Sequence, residues 1–271
     1  MDGGSGSSQD LRRALDTLRA IAEDRSTTVV PVAGGEAFLN ADFPAAHDLN
    51  RLVITAPCQP TEVADAADDV LGGAGLCHRL ITVPAPALGH YLADELSARG
   101  YESSHELVMA ATRPAERRLP PLDVVRLDLT ERVAVASAGW RQQQPDWDDD
   151  VVNQLGRRVA TVLPAAQTTF LAVRGHDGSV AARADLYVRD GVAQVEEVWT
   201  DPDRRGQGLA SLLVARAVEQ AHANGAELVF LVTDADDWPQ QLYCRLGFTD
   251  IGRTMSFHKT EAQPRQDLSE C

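Results

Sequence analysis

Val192-Ala-Gln-Val-Glu-Glu-Val-Trp-Thr-Asp-Pro-Asp-Arg-Arg-Gly-Gln-Gly-Leu-Ala-Ser-Leu-Leu-Val-Ala-Arg-Ala-Val218 reads as a strand, a charged glycine-containing loop and a long amphipathic helix. Val192, Val195, Val198, Trp199 and Thr200 suit a pleated, half-buried surface. Asp201-Pro202 ends the strand, because proline cannot donate to a sheet ladder. Leu209, Leu212, Leu213, Ala217 and Ala221 recur at helical spacing and form one apolar stripe. Between strand and stripe lies Arg204-Arg205-Gly206-Gln207-Gly208-Leu209-Ala210. Amide N–H groups converge where such a loop opens a helix, the helix dipole adds positive charge, and small residues admit an anion.

Several glycine loops have this chemistry, and their spacings separate them. A P-loop would need Gly-Lys-Ser/Thr at its end, which is lacking. A dinucleotide fingerprint would place Ser211 where its third glycine belongs and would run the strand almost directly into Gly206, whereas residues 201–205 intervene. The pattern Arg/Gln-x-x-Gly-x-Gly/Ala is met by Arg205, Gly208 and Ala210. An ordinary helix-capping turn is the remaining alternative.

The whole chain narrows the partners. Its 271 residues suffice for one large domain or two small ones, and 44% hydrophobic with 24% charged residues are the proportions of a globular protein. A net charge of −15, from 25 basic and 40 acidic residues, argues against nucleic acid or an anionic membrane and suits a cationic small molecule. Cys58, Cys77, Cys244 and Cys271 are scattered without a CxxC, so neither a zinc site nor a disulfide framework is expected. No apolar run has membrane-spanning length and no signal-peptide core opens the chain, so a cytoplasmic protein with reduced thiols is expected.

In order, residues 1–9 are expected to be a flexible Gly/Ser tail, followed by a helix on Leu11, Leu15, Leu18 and Ile21. Strands are expected at 27–32, 51–54, 80–83 and 105–111, with helices at 62–71, capped by Thr61, and at 88–99, ended by Gly100. The stretch 113–121, with three prolines and three arginines, reads as a linker. Beyond it come a strand at 124–127, helices at 131–139 and 148–163, and a meander at 168–174, 179–188 and 192–200 with a tight turn at Asp190-Gly191. A strand at 227–233, a helix at 238–246 and a strand at 250–258 follow, then a polar tail at 261–271. The halves repeat: strand 80–83, a helix ending in Gly100-Tyr101 and strand 106–109 match strand 229–232, a helix ending in Gly247-Phe248 and strand 255–257.

This order, with the loop, resembles the GNAT N-acetyltransferase superfamily. A second motif supports it: Asp236-Asp-Trp-Pro-Gln-Gln-Leu-Tyr-Cys-Arg-Leu-Gly-Phe248 is similar to the family's Asn-x-x-Ala-x-x-Leu-Tyr-x-x-Leu-Gly-Phe, departing at Asp236 and Pro239. The resemblance implies an α/β fold of two tandem GNAT-like lobes, each a mixed central sheet flanked by helices. Residues 10–112 would form a degenerate lobe without the loop, and 122–260 the catalytic domain.

The resemblance also implies acetyl-CoA, or another acyl-CoA, as acyl donor and a small-molecule amine as acceptor. It puts backbone contacts to the pantetheine arm on Val198 and Thr200, and the pyrophosphate on the amides of Arg205, Gly206, Gln207, Gly208, Leu209 and Ala210. Tyr243 matches the residue that protonates the departing thiolate. The base in relatives that use this strand falls on Glu196 or Gln194, which share a face. Glu196 is the candidate, acting through water or with a raised pKa. Glu197 faces the other way unless a bulge intervenes. The connection from Trp140 to Asp150 overhangs the acyl end in this fold, which makes Trp140, Asp146, Trp147, Asp148 and Asp149 candidates for holding a cationic amine. Asp148 and Asp149 equally suit a helix start. His222 and His258 read as surface residues, and no metal ligand is assigned. A monomer or homodimer is expected. A protein or peptide acetylase and a non-catalytic acyl-CoA sensor are the alternative functions.

Overall fold

The computed structural model describes residues 3–112 and 119–260. The linker residues 113–118 and the tail 261–271 lie outside the described residues. In chain order the elements are α1 (Gly3–Asp24), β1 (Thr28–Val32), β2 (Gly35–Leu39), β3 (Arg51–Ile54), α2 (Pro60–Ala67), β4 (His78–Val83), α3 (Pro86–Ala98), β5 (Glu102–Ala111) and β6 (Val125–Leu127). There follow α4 (Leu129–Gln143), α5 (Asp149–Arg157), β7 (Gln167–Arg174), β8 (Val180–Arg189), β9 (Val192–Thr200), α6 (Leu209–Ala223), β10 (Leu228–Asp234), α7 (Pro239–Arg245) and β11 (Phe248–Thr260).

The chain divides into two compact units: Met1–Ser26 with His105–Thr254, and Thr27–Ser104 with Met255–Cys271. In the first, β6, β7, β8 and β9 form an antiparallel meander, β10 joins β9 in parallel, and the later residues of β5 pair antiparallel with β10. Asp190 (φ 49°) and Gly191 (φ 76°) make the tight β8–β9 turn that Asp-Gly announces. The apolar stripe of α6 packs Leu209, Leu212, Leu213, Ala217 and Ala221 against Val195, Leu186 and Val229. A separate cluster sets Leu11, Ala14 and Leu18 of α1 against Val108, Val192 and Phe230. In the second unit, β1, β2 and β3 form an antiparallel meander, β4 joins β3 in parallel, and the last residues of β11 pair antiparallel with β4. Its core is built around Leu52, Ile54, Leu71, Ile81, Leu92, Leu96 and Phe257, all fully or nearly fully buried. The expected α/β architecture, mixed sheet flanked by helices, is observed, but the strands belong to one 11-stranded sheet rather than to two.

Several local expectations are corrected. Gly3–Gln9 are helical, the first turns of α1, rather than a loose tail. Each residue added to the helix nucleated at Leu11 and beyond gains a backbone bond, which offsets the roughly 1 kcal/mol that each glycine costs there. β2 was not expected. Val32↔Gly35 pairing leaves Ala33-Gly34 as a two-residue turn, with Gly34 at φ 74°. Gln59, not Thr61, caps α2, in a reciprocal box with Glu62 and with Pro60 at the first helical position. Gly100 (φ 85°) and Gly247 (φ 90°) both take the left-handed conformation after α3 and α7, and the following Tyr101 and Phe248 are both buried.

Candidate active site

The site lies wholly within the first unit. β9 and β10 pair only from Leu228↔Val192 to Phe230↔Gln194, although both strands run on. Beyond that point is a cleft of about 240 Å³ lined by Val195, Glu196, Glu197, Val198, Leu231, Val232 and Tyr243. It brings together Glu196, Tyr243 and Val198. Thr200, the glycine loop and the 140–149 candidates are not among its lining residues.

A bulge shapes its wall. Asp185 pairs with Glu196 and Arg183 with Trp199, so Glu197 and Val198 together face Ala184. Glu197 has φ 54°, a left-handed conformation costing a non-glycine residue roughly 1–3 kcal/mol. With the extra residue, both adjacent glutamates line the cleft. Gln194 donates to Glu196, consistent with their shared face.

Glu197 is held by three guanidiniums: Arg158 at 2.6 Å, Arg183 at 3.0 Å and Arg132 at 3.3 Å. Arg183 also donates to the Glu197 carbonyl at 2.9 Å, which fixes the strained residue from both ends. Arg132 is fully buried and forks onto Asp185, Nε to Oδ1 at 2.9 Å and Nη2 to Oδ2 at 2.8 Å. The Tyr187 hydroxyl donates to the same carboxylate at 3.2 Å. Burial raises the Asp185 carboxyl even so.

Adjacent glutamates are thus driven apart. Burial, with the neighbouring Glu197 charge, pushes Glu196 up to about 7. Burial alone would raise Glu197 too, but Arg158, Arg183 and Arg132 hold it at about 2. Burial and the charge of Glu196 raise the Tyr243 phenol to about 12. Near neutral pH the cleft offers a half-ionised carboxyl, a fixed carboxylate and a protonated phenol, a set suited to moving protons. The arginine–carboxylate cluster was missed in the sequence. Its visible signal was Arg183-x-Asp185-x-Tyr187, three polar groups on one face of an otherwise apolar strand.

The glycine loop is open. Arg205, Gly206 and Gln207 are exposed, and Gly206 (φ 78°) and Gly208 (φ 80°) are left-handed. No side chain caps α6 at Gly208, and a Cβ on Gly206 would meet nothing within 4 Å. A 15-residue helix therefore presents its first amides beside an exposed Gly206, a cradle that fits a pyrophosphate, with the Pro120 ring 3.5 Å from where a Cβ on Gly208 would stand. Arg204 is turned to Asp177 at 2.8 Å, leaving Arg205 as the loop's outward cation.

Most of the 140–149 candidates are engaged locally. Trp140 lies in α4, and its ring stacks on Trp147 with centroids 5.9 Å apart. Asp148 caps α5 by accepting from the Asp150 amide at 2.8 Å, and Asp149 pairs with Arg141. Asp146 is exposed.

The profile of the Acetyltransferase (GNAT) family matches residues 133–248. Mycothiol acetyltransferase of Clavibacter michiganensis subsp. michiganensis is 34% identical over 91 residues, 33% of this chain, so that the chain spans only 30% of that protein. Mycothiol acetyltransferase of Clavibacter sepedonicus is 27% identical over 79% of this chain and 85% of its own length. Aminoglycoside N(6')-acetyltransferase type 1 of Serratia marcescens is 30% identical over 36% of this chain and 75% of its own. Among solved structures, a GCN5-related N-acetyltransferase from Kribbella flavida superposes with a TM-score of 0.62 at 20% identity, covering 93% of this chain and 96% of that one. A tandem GNAT protein from the clavulanic acid biosynthesis pathway superposes with a TM-score of 0.51 at 14% identity, over 76% and 69%. With a glycine loop that opens a long helix and a Leu242-Tyr243 segment beside the same strands, this protein belongs to the GNAT acetyltransferase family.

Proposed function

We propose that this chain transfers an acetyl group from acetyl-CoA to the amine of a small molecule by direct attack, with Glu196 as base and Tyr243 as acid. The observation that carries this is the shared cleft, where a carboxyl near 7 and a phenol near 12 face one space beside the end of the β9–β10 pairing. Glu196 accepts the amine proton through water when ionised. Tyr243 is neutral at physiological pH and can give its proton to a departing thiolate. The amides of Arg205 to Ala210 would hold the pyrophosphate, and backbone groups at Val198 and Thr200 the pantetheine arm. Acetyl-CoA supplies the thioester.

A small acceptor is supported by the aminoglycoside in one relative's name. A cationic one is supported by the net charge of −15. With Asp148 and Asp149 engaged, Asp146 and the general field would carry that preference.

The test is release of free thiol from acetyl-CoA against a panel of amines. Turnover should appear with a small cationic amine, with KM rising with salt. Tyr243→Phe should lower kcat by about 10²- to 10⁴-fold. Tight CoA binding without turnover on any amine would mean a sensor, and turnover confined to peptide amines a protein acetylase.

A further inference from the structure

The second unit holds a cluster of side chains that acyl transfer does not use. His47 stands in the 3-10 turn His47–Leu49 just before β3, Cys77 and His78 stand at the start of β4, and His258 stands near the end of β11. Because β3 and β4 run parallel, the residues that lead into them meet at one edge of the sheet. β11 runs antiparallel to β4, with His258 opposite Leu80 and hence diagonal to His78. Cys77 Sγ and one nitrogen of each of the His47 and His78 rings all lie within 4.8 Å of one another. Among the described residues this is the one His/Cys/carboxylate group gathered so closely.

The hydrogen bonds select nitrogens. His78 is fully buried, and its Nε2 lies 2.9 Å from the Asn50 carbonyl. That carbonyl is held in place, since the Asn50 side chain donates to the Phe43 and Ala46 carbonyls and accepts from the Asn40 amide. A carbonyl only accepts, so Nε2 carries the proton and Nδ1 presents its lone pair. Nδ1 is buried and has no hydrogen-bond partner. A buried, unsatisfied acceptor is destabilising and is uncommon without a reason. An imidazole whose second nitrogen is fixed by a backbone carbonyl is the usual arrangement of a metal ligand. His47 Nδ1 is 3.2 Å from His258 Nε2, and in the tautomer in which Nδ1 donates to His258 the His47 Nε2 lone pair is left to bind. The surface position expected for His258 is corrected accordingly, since it is half-buried against His47.

We propose that His47, Cys77 and His78 bind one divalent transition-metal ion, with Zn²⁺ the best match to the ligand set, and that His258 orients His47. Two imidazoles and a thiolate suit this borderline ion, and hard cations would prefer oxygen. Bonds of about 2.0–2.3 Å set tetrahedral ligand atoms roughly 3.3–3.8 Å apart, so the 4.8 Å span must contract. His78 is the fixed anchor. The partly buried His47 and Cys77 supply the movement, with the His47 ring turning out of its stack on His78, where the centroids are 3.7 Å apart. The neutral imidazoles bind without proton change, and Cys77 loses its thiol proton to solvent, one per ion bound. The ion ties the turn before β3 to the start of β4, a structural role independent of the acyl-transfer cleft.

The test uses the full, untagged chain stripped with chelator and titrated first with Co²⁺. One equivalent should bind, giving a thiolate-to-cobalt absorption band and the intense visible bands of a tetrahedral ion, and Zn²⁺ should displace it. Cys77→Ser should abolish the thiolate band. His47→Gln and His78→Gln should each weaken binding at least tenfold. Zn²⁺ should raise the melting temperature of the native chain but not of these variants. His78→Gln could fold poorly because its site is buried, so the partly exposed Cys77→Ser and His47→Gln decide the matter. His222→Gln, a histidine of the other unit, should change nothing. Absence of one-equivalent uptake by the folded chain, or uptake with the same spectrum and affinity in Cys77→Ser and His47→Gln, would overturn the proposal.

Discussion

The two units make the same turn from a strand into a helix and then a parallel strand, but they treat the helix start in opposite ways. In β3–α2–β4, Gln59 and Glu62 satisfy each other's backbone amides, and Pro60 removes another donor. The start of α2 is closed by its own side chains, one of them acidic. In β9–α6–β10, left-handed Gly206 and Gly208 precede the helix, and no side chain caps it. The strands differ too. β3 stays in unbroken register with β2, from Gly35↔Ile54 to Phe38↔Arg51, and pairs through apolar residues such as Ala37↔Leu52. β9 is bulged against β8 and places two glutamates in a cleft. The difference teaches that the fold alone does not make a site. A helix start binds an anion only where its amides are left unclaimed, and a strand edge does proton chemistry only where a bulge turns carboxylates into one space.

The largest expected effect comes from closing the open helix start. Gly208→Asp adds a side chain at φ 80° and a carboxylate where an anion must approach, giving α6 the kind of cap α2 has. Calorimetry should find one CoA per native chain and a loss of affinity of at least about a thousandfold, some 4 kcal/mol, in the variant. Two equivalent sites in the native chain would break the comparison.

Next comes the buried charge cluster behind the bulge, which β2–β3 lacks. Arg132→Met leaves Asp185 in the core without its bidentate partner. Denaturant unfolding should show a loss of about 3–5 kcal/mol. A loss below 1 kcal/mol would mean that the cluster is not what holds the β8–β9 bulge.

The two glutamates predict opposite pH dependences. For Glu196 the folded pKa is raised, so its contribution to stability is present below about 4.5 and lost as the pH rises through about 7. For Glu197 it is depressed, so its contribution is present above about 4.5 and lost as the pH falls towards about 2. In kinetics, kcat/KM should fall on the acid side of about pH 7 as Glu196 becomes protonated. Glu196→Gln should remove that limb and cost about 100-fold at higher pH. Glu197→Gln removes a neighbouring negative charge and frees three guanidiniums, so the limb should instead move to lower pH. If Glu197→Gln abolishes the limb, the two roles are reversed.

The smallest effect tests the closed turn. Gln59→Ala with Glu62→Ala should destabilise the protein by about 1 kcal/mol and create no second CoA site, since Pro60 and the absence of a glycine loop remain. A second equivalent of CoA bound by that variant would show that capping alone silences the second unit.

The sequence alone was enough for what local chemistry dictates. The stripe of α6, the Asp-Gly turn and the left-handed glycines after α3 and α7 are fixed by side-chain periodicity and backbone sterics within a few residues. The spacing of Arg205, Gly208 and Ala210, with Leu242-Tyr243, sufficed for the family. Tertiary structure decided what depends on groups distant in the chain. Glu196 and Glu197 are neighbours with the same side chain, and only Arg132, Arg158 and Arg183, from a helix, a 3-10 turn and a strand, set one near 2 and leave the other near 7. His47, His78 and His258 carry no spacing signal, because β3, β4 and β11 bring them together across more than 200 residues. Periodicity records which face a residue takes, whereas burial and the charges across a cleft are set by whatever the rest of the chain packs against that face.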